Sequence, residues 1–439
     1  MLSAFRSALA TPDLRKKILF VLGIVALYRL GTSIPAPGVS FANVQACQQQ
    51  VEQSGVFSLL NLFSGGALLR LSIFATGVMP YITASIIMQL LRVVIPRFDE
   101  LKKEGQQGEA KLTQYTRYLT VALALLQATG VVAMASRGQL FQGCTQPVIP
   151  DDSVFSVALI VLSMTAGTTL IMWMGELISE RGIGNGMSIL IFLNIAARIP
   201  SAGGGILASQ GGAVFGFVCL LAVAIVISVI FVEQGQRRIP VQYAKRMIGR
   251  RMYGGTSTYL PIKVNQAGVI PVIFGTSLLY LPRLVSQLVG ETEGGTGWQR
   301  FLQNYIVDPS SWVHMLLYFA LIIFFTYFYV SIQFPVNDRA DDMKKFGGFI
   351  PGIRPGRPTA EYLSYVLSRI TLPGSVYLGI IAILPNFFLA LSSGGEGAQG
   401  IQNFPFGGAA VLIMVGVGLD TVKQIESQLM QRNYEGFLR

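Results

Sequence analysis

The sequence predicts an all-α polytopic membrane protein with ten transmembrane helices in two inverted, pseudo-symmetric halves of five. Three observations predict it. The first is composition: 439 residues are 52% hydrophobic and only 13% charged, against about 25% charged in an average soluble domain, and mean hydropathy is +0.55. The second is spacing, since the apolar residues fall in blocks of about 20, enough to cross roughly 30 Å of hydrocarbon. The third is an internal echo. Gly77-Val78-Met79-Pro80-Tyr81-Ile82 recurs as Gly268-Val269-Ile270-Pro271-Val272-Ile273, each opening the second block of its half.

The ten blocks are roughly 16–33, 71–91, 118–136, 154–175, 184–202, 213–232, 267–285, 313–334, 371–391 and 406–422. The first is expected to be a retained span rather than a cleaved signal, because further membrane segments follow it. Five spans per half place the second half upside down relative to the first, an arrangement that commonly puts a path or site at the repeat interface. The division expected is 1–202 for spans one to five and 203–439 for spans six to ten, the latter with cytoplasmic loops at about 233–266 and 335–370. The proline of each echo either starts its helix or kinks it.

Charge sets the orientation. The net charge is +11, and basic residues gather at the N-terminus (Arg6, Arg15, Lys16, Lys17), between spans two and three (Arg92, Arg97, Lys102, Lys103, Lys111, Arg117) and in the two long loops. Arg137, Arg198, Arg283 and Arg300 fall on or beside the opposite loops. This positive-inside pattern predicts both termini in the cytoplasm.

Several function classes find no support. No Asp or Glu lies well inside a span; Glu176 and Asp420 sit at cytoplasmic ends. Ion-coupled transporters and pumps generally need such a buried ionisable group. Gly182-Ile183-Gly184-Asn185-Gly186 follows a membrane helix rather than a strand and lacks the Lys-Ser/Thr of a nucleotide loop, so it reads as a sharp turn between spans four and five. His314, the only histidine, has no metal or triad partner nearby in sequence. No catalytic group, cofactor or metal is expected. Cys47 and Cys144 fall in predicted outer loops and read as free or packed thiols, with pairing as the alternative. Cys219 reads as apolar filler within a span.

Residues 57–69 are too short and interrupted to span, yet too apolar for an exposed loop. They fit either a short helix folded into the outer mouth of a cavity, hinged at Gly65-Gly66, or an interfacial helix on the outer leaflet. Loop 233–266 carries Arg237, Arg238, Lys245, Arg246, Arg250, Arg251 and Lys263 against Glu233. It reads as a strand over Arg238–Tyr243 with a hairpin tip at Gly254-Gly255. Loop 335–370 presents Arg354 at the point of the Pro/Gly turn Pro351–Gly356, with Arg357 following. Protruding positive loops suit RNA phosphates or an acidic protein surface, with the anionic leaflet as the other partner.

On Asn61–Ala67, Gly77–Gln89, Gly175-Glu176 with Arg181–Gly186, Gly235–Arg251 and Pro351–Gly356, the sequence resembles the SecY/Sec61α family, the pore subunit of the general protein-translocation channel. The likeness covers nearly the whole chain, and Phe5–Leu19 is similar to the actinobacterial branch. The resemblance implies a central hourglass pore ringed by Ile82, Ile86, Met187, Ile191, Ile270, Ile273 and Ile413, with Met187 standing where a branched aliphatic is usual. It implies a plug at about 57–69, including Leu60, Asn61, Phe63, Ser64, Gly65, Gly66 and Leu68, and a lateral gate of spans two and three against seven and eight. The substrates implied are unfolded preproteins with signal sequences. The partners implied are the SecE and SecG subunits, the SecA motor ATPase, the ribosome with its RNA, and membrane lipids. Arg237, Arg238, Lys245, Arg246, Arg250, Arg251, Arg354 and Arg357 would dock the motor or ribosome. The chain would be catalytically silent and lie in the bacterial plasma membrane. A small-solute secondary transporter with inverted repeats, or an insertase-type protein without a pore, are the rival readings.

Overall fold

The computed structural model describes residues 11–51, 64–136, 138, 140, 144, 146–151, 153–243, 246–248, 251–253, 257–276, 278–279, 301, 305–306, 311–392 and 408–436. Leu60, Asn61, Phe63, Lys245, Arg250 and the Gly254-Gly255 tip lie outside them. The chain forms two compact units, Met1–Leu220 with Gln287–Glu291 and Leu391–Arg439, and Leu221–Ser286 with Thr292–Ala390.

In the first unit, α1 (Pro12–Ser33) opens with Pro12 and Asp13 in its first turn. There a proline loses no helical bond and an acid meets the positive end of the helix dipole. After α2 (Phe41–Val51), α3 (Met79–Val94) carries Pro80 in its first turn, so the proline of the first echo starts the helix rather than kinking it. Pro271 takes the same place in the helix that opens at Ile270, described over 270–276 and 278–279. The glycine before each is left-handed, with φ of 59° at Gly77 and 62° at Gly268. The two copies therefore share a backbone path as well as letters, and a residue with a Cβ would be strained at either glycine.

The path continues through α4 (Pro96–Lys103), α5 (Gln106–Ser136) and α6 (Val154–Arg181). Ser153 caps α6 by accepting from the Ser156 amide at 3.3 Å. A tight turn then leads into α7 (Gly186–Gln234). Gly184 is left-handed (φ 88°), and the Asn185 side chain accepts from the amides of Met187 and Ser188 at 3.1 and 3.4 Å. The Ser179 hydroxyl accepts from the Gly186 amide at 2.9 Å. A Cβ on Gly186 would lie 1.9 Å from the Gly175 carbonyl oxygen, so the helices approach closely enough to require glycine. The glycine string is a turn, as its position after a membrane helix predicts.

The fifth and sixth apolar blocks share the single helix α7, with Pro200 inside it. Between them the sequence offers glycines but no further proline. One missing donor leaves the rest of the ladder intact.

Cys47 and Cys144, read from sequence as free or packed thiols, are joined in a disulfide with their Cα atoms 5.5 Å apart. The reading missed it because pairing depends on two loops 97 residues apart in sequence meeting in space. Neighbouring contacts hold them there: Asn43 donates to the Pro147 carbonyl at 2.8 Å, and the Ser40 amide to that of Val148 at 3.1 Å. Replacing Cys144 by Ser is expected to cost about 2–4 kcal/mol, the usual contribution of a cross-link closing a long loop. Thermal unfolding of the detergent-purified protein reads this as a lower midpoint, and an unchanged midpoint would refute it.

In the second unit, α7 is followed by β1 (Gln236–Tyr243), β2 (Arg246–Ile248), β3 (Arg251–Tyr253) and β4 (Ser257–Lys263). The strand expected at Arg238–Tyr243 is β1. The innermost described pair of the hairpin is Ile248 with Arg251. Next come α8 (Trp312–Gln333), α9 (Val336–Lys345), β5 (Gly348–Phe349) and α10 (Arg357–Ser392). The last helix, α11 (Gly408–Gly436), belongs to the first unit.

Among the described residues four helical stretches are long and apolar enough to cross a membrane: Gln106–Ser136, Val154–Arg181, Trp312–Lys345 and Arg357–Leu384. Met79–Val94, Gly186–Pro200 and Val218–Gln234 are shorter apolar pieces. Large side chains such as Phe155 and Phe231 stand outward, 78% and 82% exposed, as a lipid-facing surface requires.

Candidate functional site

Two features stand out, one in each unit. The first is the described end of the interrupted segment, residues 64–71. Ala67, Leu68, Leu69 and Leu71 are buried, as is Ser64, whose hydroxyl accepts from the Leu68 amide at 3.1 Å. Gly65 and Gly66 both have positive φ, 66° and 94°, so the chain turns where only glycine is unstrained. The Gly65 carbonyl accepts from Arg29 at 3.3 Å. Leu71 is the sole described non-glycine residue with positive φ, 45°, a conformation that costs about 1–2 kcal/mol. Surrounding contacts hold it there: its carbonyl accepts from the Ala36 amide at 2.9 Å, and Ile73 donates to the Ile34 carbonyl at 3.1 Å. Phe74 then stacks on Tyr28 of α1, ring centroids 5.6 Å apart.

The second feature is a sheet that joins the two basic loops. Its order is β4-β1-β5, with β1 antiparallel to β4 over Gln236–Gln242 and to β5 through Gln242–Phe349 and Tyr243–Gly348. Ile239 and Val241 are buried, while Arg237 and Arg238 are exposed. Beyond β5 the Pro/Gly turn is held by a bond from the Ile353 amide to the Ile350 carbonyl at 3.0 Å. The Thr359 hydroxyl donates to the Arg354 carbonyl at 2.8 Å. Gly352 and Gly356 supply left-handed backbone (φ 83° and 101°). Arg354 is thus exposed on a backbone fixed from both sides, and Arg357 extends beside it, ion-paired to Glu361 at 3.3 Å. Arg246 and Arg251 lie in the β2–β3 hairpin.

The root of this hairpin is tied down. Glu233, buried at the end of α7, accepts from the Asn265 side chain at 3.0 Å, and Asn265 also donates to the Gly268 carbonyl at 3.2 Å. A Cβ on Gly374 of α10 would lie 2.5 Å from the Val264 carbonyl oxygen, so α10 packs directly on the same root. The hairpin is therefore anchored at the entrance to helix 270–276.

Of the residues expected around a pore, Ile82 and Ile86 are half-buried on α3. Met187, Ile191 and Ile413 are buried in the same unit. The Met187 sulfur lies over Gly175, where an added Cβ would meet it at 2.5 Å. In the second unit Ile273 is buried and Ile270 half-buried on helix 270–276.

A family model described as SecY matches residues 72–422. The chain belongs to the SecY family. Among its relatives is the protein translocase subunit SecY of Mycobacterium tuberculosis, 67% identical over 445 aligned residues that cover 100% of both chains. That of Streptomyces coelicolor is 62% identical over 446, again covering 100% of both. The resemblance to the actinobacterial branch is met by these relatives. In fold, the chain is similar to a solved structure of a protein-conducting channel, at TM-score 0.59 and 17% identity over 93% of this chain and 91% of that one. It is also similar to one described with the SecY plug domain stabilising the closed state of the translocation channel, at TM-score 0.58 and 18% identity with the same coverage. As a SecY-family chain with several apolar helices, it is a multi-pass membrane protein.

Sequence reasoning missed the partners of these features. Strand β5 is two residues long, too short to leave a periodicity signal. Arg29, Tyr28 and Asn194 left one usable trace: an arginine inside an apolar block is costly enough to mark function. Arg117 and Glu176 form a two-pronged ion pair at 2.9 and 2.8 Å between α5 and α6. The SecY-family motif included Glu176 without its partner.

Proposed function

We infer that this chain is the central pore-forming subunit of the general secretory translocon, passing unfolded polypeptides across the membrane and releasing apolar segments into lipid. The observation that carries the reading is 67% identity, over its full length, to subunits named for protein translocation. These relatives are translocase subunits rather than solute carriers, so the transporter alternative gains nothing from them. The constriction residues are those implied by the family resemblance, Ile82 and Ile191 among them, and residues 57–69 are the plug. A ring of aliphatic side chains excludes water and ions by dewetting while yielding to a polypeptide.

SecE and SecG complete the complex in this reading, and the SecA ATPase or the ribosome docks on the sheet carrying Arg237 and Arg238 and on the Arg354 turn. In fold the chain is similar to Sec61 in a solved canine ribosome–channel complex from the endoplasmic reticulum, at TM-score 0.55 and 16% identity. Energy comes from the partner, because the chain itself performs no chemistry. Both termini are cytoplasmic, in the plasma membrane of a bacterium.

The test is a photoreactive residue placed at Ile82 or Ile191 while a secretory polypeptide is stalled in transit. Adducts with the polypeptide at both positions are expected. Adducts with lipid alone would sink the reading.

A further inference from the structure

The segment 64–71 is held by more than burial. Arg29 of α1 donates through one terminal nitrogen to the Gly65 carbonyl and through the other to the Leu193 carbonyl of α7, each at 3.3 Å. The neighbouring residues Tyr28 and Asn194 bond directly, the Asn194 amide donating to the Tyr28 hydroxyl at 2.8 Å, and both are fully buried. The Asn194 side chain also fills the space beside Gly65, where a Cβ would lie 2.5 Å from its oxygen. A Cβ on Gly66 would stand 3.9 Å from the Arg198 guanidinium. One turn of backbone is thus gripped from α1 and α7 at its two most pliable residues.

Spacing links this grip to the constriction. Met187, Ile191, Asn194 and Arg198 follow one another at intervals of four, three and four on α7, which places them in one stripe along the helix. Asn194 lies only about 4.5 Å along the axis from Ile191. Movement of α7 that widens the pore at Ile191 carries Leu193 and Asn194 with it, because a helix moves as a rigid rod over a single turn.

We propose that Arg29, supported by Tyr28 and Asn194, is a latch that couples dilation at Ile191 to release of the segment at Gly65. The proposal rests on the reading of 57–69 as a plug and of Ile191 as a constriction residue. Arg29 is a positioning residue in it: two charge-assisted bonds to carbonyls hold the closed state, and the entering polypeptide breaks them by displacing α7. At 3.3 Å these bonds are longer than well-formed charge-assisted ones, so losing both shifts the closed-to-open ratio by about tenfold.

The experiment uses the full-length chain assembled with its partner subunits in vesicles, reading resting ion conductance and transport of a preprotein with a defective signal sequence. Arg29→Gln is expected to raise resting conductance about tenfold and to pass the defective preprotein. Arg29→Lys should restore part of the seal, since an ammonium lacks the fork that reaches two carbonyls. Gly65→Ala, which leaves Arg29 in place but drives a Cβ into Asn194, should leak as well and serves if Arg29→Gln fails to assemble. In a chain lacking residues 60–69, Arg29→Gln should add nothing. Normal seals in both Arg29→Gln and Gly65→Ala, in a protein that leaks on deletion of 60–69, would overturn the latch and leave the plug reading standing. Further leak from Arg29→Gln in the deleted chain would overturn it too. A deletion that does not leak would remove both readings together.

Discussion

Replacing Arg354 by Glu is expected to block ATP-driven preprotein transport while leaving the protein folded and inserted. Arg354 is exposed, so no core packing is lost. Its backbone is fixed by Thr359 and the Ile350–Ile353 turn, so the reversed charge is presented to the partner instead of relaxing away. Like charges brought face to face at an interface cost several kcal/mol, so transport should fall about tenfold or more. Reconstituted vesicles supplied with the motor, ATP and a labelled preprotein give the measurement, with protease protection of the product as the readout. Transport at the unmodified rate would remove Arg354 from the docking surface. Because β1 and β5 share a sheet, the defect should also be deeper than that of Lys344→Glu, which lies on α9 before the turn.

Deleting residues 60–69 should have the second large effect, a rise in resting ion leak of about tenfold or more, because it leaves the aliphatic ring as the sole barrier. The described part of this segment is built for a buried position: Ala67, Leu68 and Leu69 are almost fully covered, and Gly65-Gly66 turn the chain through left-handed backbone. An interfacial helix would keep an apolar face toward lipid and contribute little to a seal. Planar-bilayer recordings of the assembled complex separate the two. An unchanged resting leak would favour the interfacial helix and remove the plug.

Much of this architecture was legible because membranes impose simple rules. Apolar blocks of span length and a proline at each echo required no tertiary information. The turn at Gly182–Gly186 was legible for the same reason, since its glycines and Asn185 are local signals. What could not be read were meetings between distant residues. Arg29 is a charge in an apolar block by sequence, and only the fold brings it to the Gly65 carbonyl. Cys47 and Cys144 carry no spacing code, so their pairing depends on two loops being brought together. The two basic loops were read separately, yet β1 and β5 weld them into one surface through residues too few to leave a pattern. The helix α7 runs through the fifth and sixth apolar blocks for a different reason: its one proline, Pro200, removes a single donor, and glycines weaken a helix without ending it.

The Cys47–Cys144 bond has a consequence for the chain's own biogenesis. In the proposed topology both cysteines reach the oxidising side only after the first three spans have been threaded and the loop beyond α5 has crossed. Until then Cys47 waits outside without its partner, because Cys144 is still in the reducing compartment or in transit. The bond therefore records the order of events: a protein that inserts others seals this corner of itself only once its own insertion has passed its first third.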